Sequence, residues 1–205
     1  MRIALLALLV VLVPLVACVP VEDDASVPSA PVEPVRVAVG PGAETIDATK
    51  LVGPAAPWDV DWMGAPAVTL EALRGRVVLV RWFTEGCPYC AETAPTLAAL
   101  HDELGPRGLS VVGMYHHKSD EPLEPAQVRA LAERFDFRFP VAIDHDWKTL
   151  RAWWLDEHPG WTSVSFLIDR RGVLRYVHTG GSYEPGSADA AQMRRWIDGL
   201  LAEPG

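Results

Sequence analysis

Hydrophobic positions fall into short continuous runs and helical stripes that alternate along most of the chain. Val77-Val78-Leu79-Val80-Arg81-Trp82-Phe83 is a nearly unbroken apolar run, the pattern of a central strand buried on both faces. Leu70-Glu71-Ala72-Leu73-Arg74-Gly75 leads into it like a turn, and Thr84-Glu85-Gly86 turns the chain out of it. From Pro88 the spacing changes. Ala94, Leu97, Ala98 and Leu104 predict a helix to about residue 104, ended by Gly105-Pro106. Pro88 suits its first turn, where a backbone N–H would be unpaired anyway, whereas Pro95 should kink it. Strands are expected at 109–115 and 139–143 with a helix at 125–135 between them, then a Trp-rich helical stretch at 147–155. Val164 to Asp169 and Val173 to His178 flank Arg170-Arg171-Gly172 and read as a hairpin. A last helix spans about 188–202, with Ala191, Met193, Trp196, Ile197, Leu200 and Leu201 mostly on one face. This alternation predicts an α/β domain over residues 57–205, a mixed central sheet with helices on both faces.

The segments before that domain follow other rules. Residues 1–17 carry Arg2 and then an apolar core of Ala, Leu and Val. That is the pattern of a secretory signal, and it is short for a membrane-spanning helix. It ends Leu15-Val16-Ala17-Cys18, which resembles the bacterial lipobox, so Cys18 is expected to be lipid-modified after cleavage in front of it. Each buried CH₂ of such an anchor contributes about 0.8 kcal/mol. Residues 18–56 contain Pro20, Pro28, Pro31, Pro34, Pro41 and Pro54 among Val, Ala and acids, and read as a tether. A flexible coil of that length spans roughly 35 Å and a fully extended one about 120 Å. An extra packed element around Trp58 to Trp62 is the alternative for its far end.

Composition narrows the partners. The 205 residues are 49% hydrophobic and include eight Trp, as a packed globule requires. The net charge of −9 comes with no basic run or basic-aromatic stripe, so nucleic acid is not an expected partner. There are three cysteines, too few for a disulfide framework or a zinc ribbon, and one is already assigned to the anchor.

The other two form Cys87-Pro88-Tyr89-Cys90. A strand, a short turn and Cys-x-x-Cys at a helix start place the first sulfur beside unpaired N–H groups and the positive end of the helix dipole, which favour thiolate. Cys87 is therefore the expected nucleophile. Cys90, one turn on, can attack a mixed disulfide and release the partner. Such exchange needs no cofactor, and no metal is expected in this reading.

At these residues the chain resembles the thioredoxin-like proteins of the TlpA/ResA type, tethered reductases and relatives of bacterial envelopes. The likeness rests on Leu73-Arg74-Gly75-Arg76-Val77-Val78-Leu79, the Cys-x-x-Cys, Pro95 five residues after Cys90, and Phe166-Leu167-Ile168-Asp169-Arg170-Arg171-Gly172. It covers roughly residues 57–203. It implies a thioredoxin fold and dithiol–disulfide exchange outside the cytoplasm, with protein thiols or disulfides as substrates and an envelope electron donor or acceptor. Three positions depart from that family. Where its cis-proline faces the cysteines this chain has Ser163, preceded by Thr162. A cis bond before a non-proline costs about 3–4 kcal/mol, so the loop is expected to be trans or reshaped. Thr93 stands where a carboxylate often sits. Arg81 replaces the buried aspartate of classical thioredoxins; it cannot take a proton from the resolving thiol, but its charge can favour a nearby thiolate. Pro88, Tyr89, Thr162, Ser163 and Arg81 are thus the expected support of the pair.

Other candidates are weighed more simply. His116-His117 can supply a base or a metal ligand, but a histidine pair in a polar loop is expected at the surface, and His178 in a structural role. Trp147, Trp153, Trp154 and Trp161 are expected mostly in the core rather than in a partner-binding rim. Glu85, beside Cys87, should couple to it weakly. Two alternatives remain open. One is a peroxiredoxin-like peroxidase, suggested by Thr84 three residues before Cys87 but lacking the proline at Val80. The other is a copper(I) chaperone using Cys87 and Cys90 with His116 or His117.

Overall fold

The computed structural model describes residues 34–38, 54–55, 57–64 and 67–204, all within one unit spanning Val32–Gly205. The signal, Cys18 and most of the proline-rich stretch lie outside the described residues. In chain order the elements are β1 (Arg36–Ala38), β2 (Asp61–Trp62), β3 (Val77–Phe83), α1 (Pro88–Leu104), β4 (Leu109–Tyr115), α2 (Pro125–Arg134), β5 (Val141–Ile143), α3 (Lys148–Leu150), β6 (Ser165–Ile168), β7 (Leu174–His178) and α4 (Ala188–Ala202). The strands form one mixed sheet in the order β1-β7-β6-β3-β4-β5-β2. β3 lies parallel to β4 and antiparallel to β6, with Arg81 opposite Gly113 on one side and Ser165 on the other.

The apolar run of β3 is central because both its faces are covered. Alternation along the strand sends Val78, Val80 and Trp82 to one face, where they pack with Leu150, Trp154 and Phe166. Val77 and Leu79 face the other way, against Leu97 and Leu104 of α1 and Ile197 and Leu200 of α4, and Phe83 meets Val128 and Leu131 of α2. Helices therefore cover both faces, as the sequence pattern predicts. Full burial of a large apolar side chain is worth about 1.5–3 kcal/mol. The strand carrying most such side chains is thus a rigid support for the loop that follows Phe83.

Two buried acids tie elements together. Asp144 accepts from the Trp82 indole at 3.1 Å and from the backbone N–H groups of Thr149 and Leu150 at 2.9 and 2.8 Å. It thereby satisfies donors at the start of α3 that have no partner within the helix. Asp169 organises the β6–β7 hairpin, accepting from the N–H groups of Arg171 and Val173 at 2.9 Å each. The neighbouring Arg170 donates to the carbonyls of Leu200, Leu201 and Glu203, closing the end of α4.

The differences from expectation lie at the margins. Arg36–Ala38, within the stretch read as tether, is a strand parallel to β7 and forms one edge of the sheet. β2 forms the other edge, antiparallel to β5, and Trp58 beside it stacks on Trp153, so the packed-element alternative holds there. β5 begins at Val141 rather than 139, because Pro140 has no N–H for the ladder. The Trp-rich stretch opens as a 3-10 turn over His145–Trp147, is α-helical only from Lys148 and widens to a π-helix over Arg151–Leu155. Among the described residues no helix is long and apolar enough to cross a membrane.

Candidate active site

The site forms where β3 ends. Gly86 turns the chain at φ 64°, a left-handed conformation that glycine adopts without steric cost, and so sets Cys87 at the N-cap of α1. Cys87 is extended, and its Sγ accepts from the backbone N–H of Cys90 at 3.2 Å. Pro88 occupies the first helical turn. Cys87 and Cys90 are joined as a disulfide with Cα atoms 5.3 Å apart. Their surroundings differ. Cys90 is only 2% exposed and packs in the core with Phe83, whereas Cys87 is half-buried and lines an open cleft of about 370 Å³. An incoming group therefore meets Cys87 first.

Ser163 closes the other side. Its Oγ lies 3.2 Å from Cys87 Sγ and 3.4 Å from Cys90 Sγ. Among the described residues it is the only side chain within hydrogen-bond distance of either sulfur. Thr162 is buried beside it and lines the same cleft. Tyr89 and Trp161, the exposed large hydrophobic residues among those described, stand at the rim, and their rings meet edge to face.

The remaining candidates separate clearly. Arg81 is fully buried and donates to Gly181 O at 3.0 Å and Ser165 Oγ at 3.3 Å, with its guanidinium over the Tyr183 ring. Its Nε has no hydrogen-bond partner among the described residues, and burial pushes its pKa below the usual value. Arg81 thus hydrogen-bonds to neither sulfur; its contacts lie with Ser165 of β6 and with Gly181 and Tyr183 after β7. Thr93 accepts from the Tyr183 N–H at 3.2 Å, an anchoring contact rather than a proton-transfer one. Thr84 turns its hydroxyl to Glu85 at 2.8 Å, not to Cys87, which removes the feature that suggested a peroxidase.

Glu85 is more firmly held than expected. Burial alone would raise its pKa, but donors from Tyr115, Thr84 and the Lys118 backbone outweigh it and hold the carboxyl at about 2. Tyr115 donates to Glu85, and its phenol is raised first by burial and then by that bond and the charge of Glu85. The Ser119 N–H adds a further donor at 2.9 Å, so Glu85 fastens the loop after β4 to the cysteine turn.

The surface expectation for His116 is corrected: it is fully buried, edge to face with Trp147, because Trp147 folds over the loop and donates to His117 O at 2.7 Å. Burial lowers the His116 pKa to about 3, with help from Lys118. His117 hydrogen-bonds to Tyr115 and to the Glu121 carbonyl instead of facing the sulfurs. No group of three or more His, Cys, Asp or Glu side chains among the described residues is placed to hold a metal ion, so the copper(I) alternative is left with two sulfurs. His178 is buried against Tyr183, and its pKa is lowered to about 3 by burial and then by Arg81. Trp153 and Trp154 pack on Phe166, leaving Trp161 alone at the rim.

Sequence reasoning missed Tyr183 and Gly180. The Gly180-Gly181 pair marks a turn after β7. A Cβ at Gly180, whose φ is 136°, would lie 2.7 Å from Trp161 Cβ, so glycine there admits the rim tryptophan. Nothing in the local sequence marked Tyr183.

A helix-tip cysteine pair above a mixed sheet, with a partner loop across it, defines a thioredoxin-fold dithiol site. The chain belongs to the redoxin family: the Redoxin family model matches residues 61–193, well over half of it. A thioredoxin-like protein solved in its oxidized form superposes with a TM-score of 0.62 at 24% identity, covering 76% of this chain and 99% of that one. A thiol-disulfide isomerase of Corynebacterium glutamicum gives 0.58 at 23%, covering 73% and 98%. These establish the fold. In sequence the chain is 25% identical to the thiol-disulfide oxidoreductase ResA of Halalkalibacterium halodurans, covering 58% of this chain and 62% of that protein. It is 22% identical to the thiol-disulfide oxidoreductase YkuV of Bacillus subtilis, covering 59% and 78%. With the protein DipZ of Mycobacterium tuberculosis it shares 25% identity over 60% of this chain but spans only 18% of that relative's length.

Proposed function

We propose that the chain is a thiol–disulfide oxidoreductase acting on protein thiols and disulfides outside the cytoplasm. The observation that carries this reading is the asymmetry of the pair: Cys87 open to a cleft at the tip of α1, Cys90 shielded one turn behind it. In the reducing direction the Cys87 thiolate attacks one sulfur of a partner disulfide, and the other partner sulfur leaves as thiolate. Cys90, deprotonated, then attacks Cys87 Sγ. The second partner sulfur leaves, and the chain is oxidised as the partner is reduced. In the oxidising direction a partner thiolate attacks Cys87 and the same steps run backwards. The related oxidoreductases support this assignment, and the extracytoplasmic location rests on the signal pattern and on the resemblance to envelope proteins.

Cys90→Ser should accumulate mixed disulfides through Cys87, visible as higher bands that vanish with reductant. Cys87→Ser should accumulate none. If Cys90→Ser traps nothing from envelope extracts and the wild-type dithiol does not cycle with glutathione, the reading fails.

Attachment by lipid at Cys18 is the second part of the proposal, supported by Leu15-Val16-Ala17-Cys18 behind the apolar run. Fatty-acid labelling of the expressed chain should be lost in Cys18→Ser. Equal labelling of both would overturn the anchor and leave the exchange chemistry standing.

A further inference from the structure

We infer that the Ser163 hydroxyl is a catalytic hydrogen-bond donor that serves whichever sulfur of the pair carries negative charge. This rests on the exchange chemistry proposed above and adds a participant to it.

The geometry is specific. Ser163 Oγ lies within 0.2 Å of equidistant from the two sulfurs, at 3.2 and 3.4 Å. It is 5% exposed, so water competes little for its proton. The backbone around it is held from both sides: Trp154 Nε1 donates to Trp161 O at 3.2 Å, and Trp82 N–H donates to Val164 O at 3.0 Å. The hydroxyl oxygen is therefore fixed while its hydrogen is free to turn. Rotation about Cβ–Oγ redirects the donor from one sulfur to the other without moving a heavy atom.

A disulfide sulfur is a weak acceptor, whereas a thiolate accepts a charge-assisted bond roughly twice as strong as a neutral one. The hydroxyl therefore contributes mainly once the disulfide opens. When a partner thiolate attacks Cys87 Sγ, a new sulfur–sulfur bond forms and the Cys87–Cys90 bond breaks. Its electron pair goes to Cys90 Sγ, and Ser163 donates to that leaving thiolate. In the reverse direction Cys87 is the thiolate before attack and receives the same donor, beside the Cys90 N–H that already points at it. The proton stays on Oγ throughout, so the step needs no other reactant. Among the described residues no other side-chain donor is hydrogen-bonded to either sulfur, which leaves Ser163 as the side chain able to supply this stabilisation.

The test uses the full chain with Ser163→Ala, and Ser163→Thr as the conservative rescue. Readouts are the pH profile of iodoacetamide alkylation at Cys87 in the reduced protein and the redox equilibrium with glutathione. Removing the hydroxyl should move the alkylation midpoint up by about one pH unit, a tenfold loss of thiolate equivalent to about 1.4 kcal/mol. It should also shift the equilibrium about tenfold toward the disulfide, or about 30 mV more reducing. Ser163→Thr should restore both. Should Ser163→Ala prove unstable, Ser163→Gly also lacks the hydroxyl and carries the same expectation. A folded hydroxyl-free variant with wild-type midpoint and potential would overturn the role, as would a threonine variant that matches alanine. Wild-type protein that neither cycles nor traps partners would instead overturn the underlying exchange reading.

Discussion

Tyr89 and Trp161 meet edge to face across the mouth of the disulfide cleft, with ring centroids 5.5 Å apart and each residue 37% exposed. Tyr89 comes from the motif itself and Trp161 from the loop opposite, so the pair brackets Cys87. Large rigid aromatics in such a position favour a protein surface over a small thiol. Trp161→Ala should lower the rate constant for a protein disulfide about fivefold to tenfold while changing that for a small aromatic disulfide less than twofold, on an aromatic contact worth about 0.5–1.5 kcal/mol. Parallel kinetics with the two substrates decide it, and equal losses for both would count against a docking role.

Gly180 sets where that tryptophan sits. Gly180→Ala would place a methyl 2.7 Å from Trp161 Cβ and force a side chain onto φ 136°. The expected cost is about 1–3 kcal/mol of stability, with a shift in tryptophan emission as Trp161 is displaced. Denaturant unfolding and fluorescence would measure both, and an unchanged denaturation midpoint would contradict the close packing.

The buried histidines predict acid sensitivity. His116 and His178 have pKa values lowered to about 3, first by burial, then by Lys118 for His116 and by Arg81 for His178. The unfolded chain therefore binds protons that the folded one refuses between about pH 6.5 and 3, so stability falls as pH drops through that window. Each histidine should account for up to about 3 kcal/mol by pH 4. His178→Phe should flatten part of this fall, since a neutral ring of similar shape has no proton to take up. Urea midpoints at pH 7 and pH 4.5 give the comparison, and an undiminished fall in the variant would contradict the assignment.

Glu85 acts through a different group and a lower window. Its carboxyl is held at about 2 although burial opposes ionisation, because several donors converge on it. A depressed carboxylate stabilises the fold above its unfolded pKa, and that contribution is lost as pH falls from about 4.5 toward 2. The side chain is 37% exposed, so solvent screening reduces the effect to about 1 kcal/mol. Glu85→Gln should cost that much at pH 7 and nothing near pH 2. It should also raise hydrogen exchange at Lys118 and Ser119, whose N–H groups Glu85 accepts.

The parts of the fold written in long periodic segments were readable. β3, α1, β4 and α4 begin and end where the apolar spacing and the flanking Gly and Pro residues put them. β1 and β2 were not, because two or three residues cannot display a period and their pairing is decided by distant edges. The cysteine pair and the importance of position 163 were visible as a motif and a departure from a pattern. The direction of the Ser163 hydroxyl was not, since it depends on the Trp161–Val164 backbone being fixed from elsewhere. Arg81 shows the same limit: Ser165, Gly181 and Tyr183 lie far along the chain, and no local rule connects them.

The two outermost strands have a further consequence. An unpaired strand edge offers its N–H and C=O groups to any other chain, and short covering strands are a common defence. Here β1, from the stretch ahead of residue 57, covers β7, and β2, from the first residues of the domain, covers β5. A protein begun at residue 57 would keep β2 but bare one side of β7 from Tyr176 to His178. Arg36–Ala38 is thus placed to shield that edge from other chains, and removing it should make the protein pair edge to edge as its concentration rises.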